Sequence, residues 1–198
     1  MNSKLVLGMT LLALTLPAAS RADKFMSSDT YKEGDENVGK FLTDAEYQLM
    51  VDDVERNDEE FDWTWVSADK PAKPKTLKFS LQGKKVYIAE VPNLAGLTAK
   101  NLPPLVAENV GEALKVVGAE IVADAAAADY ELGMAIVDND KGGGWAPYVG
   151  RIEPSVEIEL RLRDKSGQNL LLIRHQEHSS NGEDAVLEFA DELSKFLR

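Results

Sequence analysis

The chain contains no cysteine among its 198 residues. Disulfide bonds are therefore excluded, and so is a lipid anchor attached through a cysteine thioether. Stability has to come from an ordinary packed core, which a chain of this length is large enough to bury.

Histidine and basic side chains are also scarce. The chain has two histidines, and its 22 lysines and arginines face 34 acidic residues, which gives a formal net charge of −12. Loss of residues 1–22 would remove Lys4 and Arg21, leaving 20 basic residues against 34 acidic ones and a net charge of −14. Such a surface repels nucleic acid and anionic lipid headgroups, so we expect no nucleic-acid partner. It favours basic partners, cations or solubility.

A long apolar run lies at the start of the chain. Lys4 precedes it, Leu5 to Ala19 form it, and small residues mark its end at Ala18, Ala19, Ser20 and Ala22. This order is typical of an export signal cleaved after Ser20 or Ala22. A retained anchor is the alternative, but the run is shorter than the about 20 apolar residues that span a bilayer. We therefore expect a periplasmic or secreted protein with no transmembrane segment after cleavage of residues 1–22.

Residues 23–75 are predicted to form an acidic N-terminal extension that begins as a mobile arm. Thr43 and Glu46 form a capping box, which starts an amphipathic helix from about 44 to 55. Three aromatic residues follow, and in an extended segment they would project from one side: Phe61, Trp63 and Trp65. We expect the two tryptophans to pack onto the main sheet. A basic stretch with two prolines then marks a stiff linker.

Residues 76–198 are predicted to form the main domain, of class α+β. Apolar patterns indicate strands around 77–81, 85–91, 120–123, 130–137, 156–162 and 169–178. Helical spacing indicates one helix after Asn101 that ends at Gly118. It indicates a second helix that begins at Ser180, where Ser180 and Glu183 form a capping box. This order predicts a mixed, mostly antiparallel sheet with two helices packed on one face. The alternate charged residues of 156–162 are expected to face water.

A family resemblance accompanies this order of elements. It is carried by the helix from Leu105 to Gly118, the stretch Ala128-Asp129-Tyr130-Glu131-Leu132 entering a strand, a glycine-rich loop, and Val156 to Leu162 followed by Asp164-Lys165-Ser166-Gly167. The pattern, over about residues 84–198, resembles the small α/β domains of bacterial envelope proteins. Examples are the periplasmic domain of the curli secretion channel subunit, the amino-terminal domain of the Tol translocation protein, and uncharacterised outer-membrane-associated lipoproteins. The resemblance implies a non-enzymatic envelope module.

Two differences between this chain and these proteins limit the functions that the resemblance implies. The chain has no cysteine to bear a lipid. The loop from Asp138 to Arg151 is also shorter and more polar than the long membrane hairpins of the secretion channel, because a transmembrane hairpin needs about 9 to 11 alternating residues per strand. We therefore do not expect a pore.

The two histidines, His175 and His178, are the candidates for imidazole chemistry. They lie three residues apart on a predicted strand and so point to opposite faces, which disfavours a shared metal ion. They could approach each other, with Glu177, only if the strand ended early. We expect solvent-exposed histidines at the end of a strand and predict no metal site and no cofactor.

A serine-hydrolase triad can be assembled on paper from Ser179 or Ser180, His175 and Asp184. Ser180 is better explained as the cap of the last helix, and no nucleophile-elbow sequence accompanies it. We therefore predict no catalytic residue. A small metal-dependent hydrolase that uses the histidines is the least favoured alternative.

Asp138-Asn139-Asp140 and the glycines after it resemble the opening of a calcium loop. A twelve-residue loop from Asp138 would place Val149 where a bidentate glutamate is required. We expect instead a hairpin turn in which Asp and Asn side chains bond to their own backbone. A ligand- or calcium-binding periplasmic protein remains the alternative function.

Trp145, Pro147 and Tyr148 lie in the same glycine-rich loop. Loops run over the surface, and an exposed tryptophan is a good anchor for a partner, although folding back over the sheet edge would account for these residues equally well. We predict them as partner-binding residues. The favoured function is an exported, non-enzymatic binding or assembly module of the bacterial cell envelope, whose partner is an envelope protein or another envelope component.

Overall fold

A computed structural model describes residues 40–52, 61–67, 77, 79–140, 145–146, 150–151 and 154–198. The predicted export signal, nearly all of the arm after it and the proline-containing linker lie outside these ranges. The described helices are α1 (Asp44–Asp52), α2 (Leu102–Val116) and α3 (Gly182–Phe196). The described strands are β1 (Trp63–Val66), β2 (Lys85–Ile88), β3 (Glu120–Val122), β4 (Tyr130–Asp140), β5 (Trp145–Ala146), β6 (Gly150–Arg151), β7 (Ser155–Asp164) and β8 (Asn169–His178). In this part of the chain, no helix is both long enough and apolar enough to cross a membrane.

Six strands form one mixed sheet in the order β1-β8-β7-β4-β2-β3. The pairs β1–β8, β8–β7 and β7–β4 are antiparallel. The pairs β4–β2 and β2–β3 are parallel, and α2 supplies the crossover that a parallel β2–β3 pair requires. The predicted α+β class with a mostly antiparallel sheet is therefore confirmed.

Helices α2 and α3 pack on one face of this sheet, as predicted. Their apolar sides and the inward residues of β7 belong to one buried cluster, which includes Val106, Val110, Leu114, Val186, Phe189, Leu193, Val156, Ile158, Leu160 and Leu162. The two prolines after Leu102 fit the first turn of α2, where the N–H groups have no helical partner to lose. Gly118 ends the segment with a φ of 88°, a conformation that glycine adopts without strain.

Helix α1 covers the opposite face of the sheet. The predicted capping box is confirmed, because the Thr43 N–H donates to the Glu46 carboxylate at 2.9 Å and the Glu46 N–H donates to Thr43 Oγ1 at 3.3 Å. A second buried cluster joins this helix to β8: Leu42, Tyr47, Met50 and Leu172, with Trp63 and Trp65 packed against it. Gly133 in β4 allows this approach, since a Cβ there would lie 2.9 Å from Cζ of Phe41. The sheet is therefore covered on both faces over β7 and β8.

This cover overturns the expectation that one face of β7 meets water. Glu157 is 8% exposed and Glu159 is 0% exposed. Charged and apolar residues do alternate between the two sides of β7, but the N-terminal segment lies over the charged side.

Two predictions about the segments next to the sheet were wrong. Phe61 does not share a side with Trp63 and Trp65; it belongs to the main cluster, because the chain bends at Asp62 before β1 begins. Ser180 does not cap the last helix. The cap is Asn181, whose side chain accepts from the N–H groups of Glu183 and Asp184 at 2.9 and 3.0 Å.

Strand boundaries differ from the prediction at three places. The strand predicted over 85–91 is β2, which ends at Ile88. Residues 77 and 79–81 are not in a strand, although Leu81 is buried in the main cluster. Strand β4 continues past Val137 to Asp140, with a bulge between Ile136 and Asp138. Pairing with β7 along this whole length is what holds the last polar residues in the sheet.

Candidate functional site

The loop between β4 and β7 carries the residues predicted to bind a partner. Within it β5 and β6 pair antiparallel, with Trp145 opposite Arg151 and Ala146 opposite Gly150. Residues 145–151 are named the aromatic hairpin here, and its described residues, those of β5 and β6, form a two-stranded sheet separate from the six-stranded one. Pro147 and Tyr148 lie outside the described residues. For Trp145 the structure describes the backbone alone. Partner binding by the three residues remains a prediction.

Asp138, Asn139 and Asp140 do not form the predicted hairpin turn. They are the last residues of β4 and pair with Glu157, Val156 and Ser155 of β7. Side chains alternate in a strand, so successive positions here do not wrap around one ion as a calcium loop does. The Asp138 carboxylate accepts from the Asn139 N–H at 2.8 Å, and burial raises the pKa of Asp138.

A buried carboxylate, Glu159 of β7, holds the N-terminal segment on the sheet. It accepts hydrogen bonds from the N–H groups of Phe41 and Leu42 at 2.7 and 2.8 Å, and from the hydroxyl of Tyr47. The guanidinium of Arg174 lies 3.8 Å away and also pairs with Glu157. Burial raises the pKa of Glu159 and of Tyr47, while the hydrogen bonds to Glu159 oppose this effect at the carboxyl group.

A second buried carboxylate, Glu46, extends from α1 to the sheet, where it contacts β7 and β8. Arg161 and Arg163 of β7 pair with it at 3.1 and 3.0 Å, and Asn169 of β8 donates to it at 2.9 Å. Burial raises the pKa of Glu46, but the hydrogen bond from the Thr43 N–H and the Arg161 guanidinium outweigh it, so the pKa lies below its ordinary value.

This lowered pKa predicts how stability depends on acid. A carboxyl group whose pKa falls on folding stabilises the fold above its ordinary pKa, here 4.5, and loses that contribution as the pH falls through the folded-state pKa. The stabilities of the wild type and of Glu46→Gln in urea should therefore differ most above pH 4.5, and the difference should shrink as the pH falls through the folded-state pKa of Glu46. Asp44→Asn, which changes an exposed carboxylate in the same first turn of α1, is the control. A constant difference between wild type and Glu46→Gln at every pH would contradict the assignment.

His175 is not a solvent-exposed histidine, contrary to the expectation from the sequence. Its side chain is 12% exposed and lies between the rings of Phe61, edge-on at 5.3 Å, and Phe189, stacked at 6.3 Å. His178, three residues on, is exposed, which agrees with the prediction that the two imidazoles do not share a site.

Three carboxylates surround the imidazole of His175. Asp62 Oδ2 lies 3.2 Å from Nδ1, and on the other side of the ring Glu177 Oε2 and Glu192 Oε2 lie 3.1 and 3.4 Å from Nε2. The Gln176 N–H donates to Asp62 Oδ2 at 2.8 Å and so fixes that carboxylate. Burial lowers the pKa of His175, but the carboxylates of Asp62 and Glu177 more than offset this and raise it above its ordinary value.

The candidate hydrolase triad is not brought together by these contacts. The Ser180 hydroxyl donates to Asp184, and Asn181 also contacts both residues. The polar contacts of His175 lie elsewhere, with Asp62, Glu177 and Glu192. Of these, the sequence had suggested only Glu177. Asp62 and Glu192 were missed because they come from the segment before β1 and from α3.

Comparisons with known proteins give similarities of fold. No family model and no curated protein matches the chain. The PelC dodecamer from Paraburkholderia phytofirmans is similar at 17% identity and a TM-score of 0.46, over 68% of this chain and 95% of that one. Lipoprotein GNA1162 from Neisseria meningitidis is similar at 10% identity and a TM-score of 0.40, over 57% and 96% of the two chains. Protein XCC0632 from Xanthomonas campestris is similar at 12% identity and a TM-score of 0.34, over 66% and 86%.

Similarity at this level does not assign a function. The curli channel subunit and the Tol protein are not among the three, and the resemblance to them remains a prediction.

Proposed function

We propose that the chain is an exported, non-enzymatic binding or assembly module of the bacterial cell envelope, and that the aromatic hairpin binds its partner. Export is supported by the order of the first residues: Lys4, the apolar run to Ala19, and the small residues around Ser20 and Ala22. The partner is an envelope protein or another envelope component.

The observation that carries the binding role is the separation of the hairpin from the main sheet. Its strands β5 and β6 pair with each other and with no strand of the six-stranded sheet in the described part of the chain. By sequence the hairpin contains Trp145, Pro147 and Tyr148. Aromatic side chains supply large contact areas, and a paired backbone limits the conformational entropy that binding would cost.

Charge indicates the kind of partner. The mature chain would carry a net charge of −14, from 20 basic and 34 acidic residues. A basic surface on the partner, around the place where it binds the hairpin, would complement the acidic charge of this chain. It would also accelerate association at low salt. We therefore expect a partner with a basic rim, and capture that weakens as salt increases.

Capture from envelope extract tests the proposal. The mature protein is immobilised, bound components are identified by mass spectrometry, and the same capture is repeated with Trp145→Ala. Loss of a binding anchor costs about 2 kcal/mol or more, so the affinity should fall by a factor of about 30.

The matched control is Leu187→Ala. Leu187 is a large apolar side chain on α3 that is 52% exposed, outside the hairpin. Its replacement removes exposed apolar area without touching the proposed site, so capture should stay at the level of the wild type. Equal capture by the wild type, Trp145→Ala and Leu187→Ala would overturn the assignment of the hairpin.

A further inference from the structure

The cluster around His175 has the composition and spacing of a transition-metal site. Its three potential ligand atoms, one each from His175, Glu177 and Glu192, lie within 4.8 Å of one another. Their side chains are 12%, 13% and 31% exposed, so the group is sheltered but open on one side. We propose that His175 Nε2 and the carboxylates of Glu177 and Glu192 bind a divalent zinc-type ion.

Two of the three ligand–ligand distances are close to those of tetrahedral coordination, and the third, between the Glu177 and Glu192 carboxylates, is at most 4.8 Å. Ligand atoms placed about 2.0 to 2.2 Å from zinc at the corners of a tetrahedron lie about 3.3 to 3.6 Å from each other. The distances from His175 Nε2 to Glu177 Oε2 and Glu192 Oε2 are 3.1 and 3.4 Å. An ion therefore fits between these atoms after small side-chain adjustments, with a fourth position left for water.

Asp62 supplies an independent observation that points to a metal. Histidine ligands almost always donate their other ring N–H to a carboxylate or carbonyl group, which fixes the ring and its tautomer. Asp62 Oδ2 lies 3.2 Å from Nδ1 of His175 and is itself held by the Gln176 N–H. The Asp62 N–H also donates to the same nitrogen at 3.3 Å. The contact with the Asp62 carboxylate therefore requires the form of the ring that carries a proton on Nδ1, and zinc binding at Nε2 would select that form. This arrangement directs Nε2 toward Glu177 and Glu192.

The rings and the charges of the cluster support the same conclusion. Phe61 and Phe189 hold the imidazole from two sides, so its orientation is fixed before an ion arrives. One imidazole faces three carboxylates, and even a protonated ring leaves these four groups with a negative total charge. A divalent cation would reduce that charge.

The ligand types select among cations. Imidazole nitrogen favours zinc, nickel, copper or cobalt, whereas calcium takes six to eight oxygen ligands and magnesium keeps most of its water. We therefore expect zinc to bind more tightly than calcium or magnesium, in a ratio of one ion per chain.

Calorimetric titration of zinc into the mature chain, after EDTA treatment and removal of the chelator, tests the proposal. The expected result is one zinc per chain. Glu192→Gln should weaken binding at least tenfold, and Asp62→Asn by about tenfold or more, because it removes only the orienting carboxylate. Cobalt is the spectroscopic probe: bound in the site, it should show the strong visible absorption of tetrahedral cobalt, and Glu192→Gln should lose it.

One control variant separates this site from general attraction of cations to an acidic protein, and two further measurements test folding and independence from the hairpin. Glu188→Gln lies one turn earlier on α3, is exposed, and should bind zinc like the wild type. Circular dichroism and urea unfolding establish that Glu192→Gln is folded. Trp145→Ala should keep full zinc affinity, so the metal site and the proposed partner site can fail separately. Absence of zinc binding up to about millimolar metal, equal affinity in Glu192→Gln and Glu188→Gln, or tighter binding of calcium than of zinc would overturn the proposal.

Discussion

Replacing Glu159 by alanine is expected to lower the free energy of unfolding by about 3 to 5 kcal/mol, the usual cost of removing one member of a buried charged group. The carboxylate is 0% exposed and accepts from the N–H groups of Phe41 and Leu42 and from the Tyr47 hydroxyl. Its removal leaves three donors without this acceptor, two of them buried, and takes a carboxylate from beside Arg174. In a domain of this size the melting temperature should fall by roughly 6 to 20 °C.

Hydrogen exchange would show where the Glu159→Ala effect arises. The amides of Phe41 and Leu42 bond directly to the carboxylate, so they should exchange much faster in the variant. The exchange of core amides in β4 should become faster only by the amount that the lower global stability accounts for. Glu131→Ala is the matched control, because Glu131 is an exposed residue of β4. Equal stability of Glu159→Ala and Glu131→Ala would mean that Glu159 does not hold the N-terminal segment.

Phe61→Ala should also cost about 3 to 5 kcal/mol, for a different reason. The Phe61 side chain is 3% exposed and its ring contacts Phe189 at 5.9 Å, Phe196 at 5.5 Å and His175 at 5.3 Å between centroids. Alanine would leave a cavity between α3 and the segment before β1. Chemical denaturation with a single transition measures this loss.

Phe61→Leu is the control for cavity formation. Leucine keeps most of the apolar volume, so the cost should fall below about 1.5 kcal/mol. If Phe61→Ala and Phe61→Leu were equally stable, packing at this position would not contribute as the structure implies.

Local patterns in the sequence were sufficient to predict most elements of the main domain. Helical spacing gave α2 and α3, and the Thr43–Glu46 capping box gave the start of α1. The alternation of Val156 to Leu162 gave the side of β7 that faces the two helices. These features depend on neighbours within a few residues, which is why periodicity and capping chemistry identify them.

The contacts that the sequence did not predict join distant parts of the chain. Phe41 and Glu159 are 118 positions apart, so nothing near Glu159 indicates that its side of β7 is covered. Glu192 was missed for a similar reason. Local periodicity predicts which face of its strand His175 occupies and which face of its helix Glu192 occupies. The rotation of α3 over β8, which brings the two together, is fixed by packing of the whole core. The position of the two histidines at the end of a predicted strand suggested that both are exposed. His178 is exposed, whereas His175 is largely buried between Phe61 and Phe189.

The binding role of the hairpin is tested most directly by the stability of Trp145→Ala, measured together with its capture of the partner. The proposal predicts a melting temperature close to that of the wild type and a partner affinity about 30-fold weaker, because an exposed anchor contributes to binding and little to folding. A loss of stability as large as that of Phe61→Ala, about 3 to 5 kcal/mol, would show that Trp145 belongs to the core and would contradict the proposal.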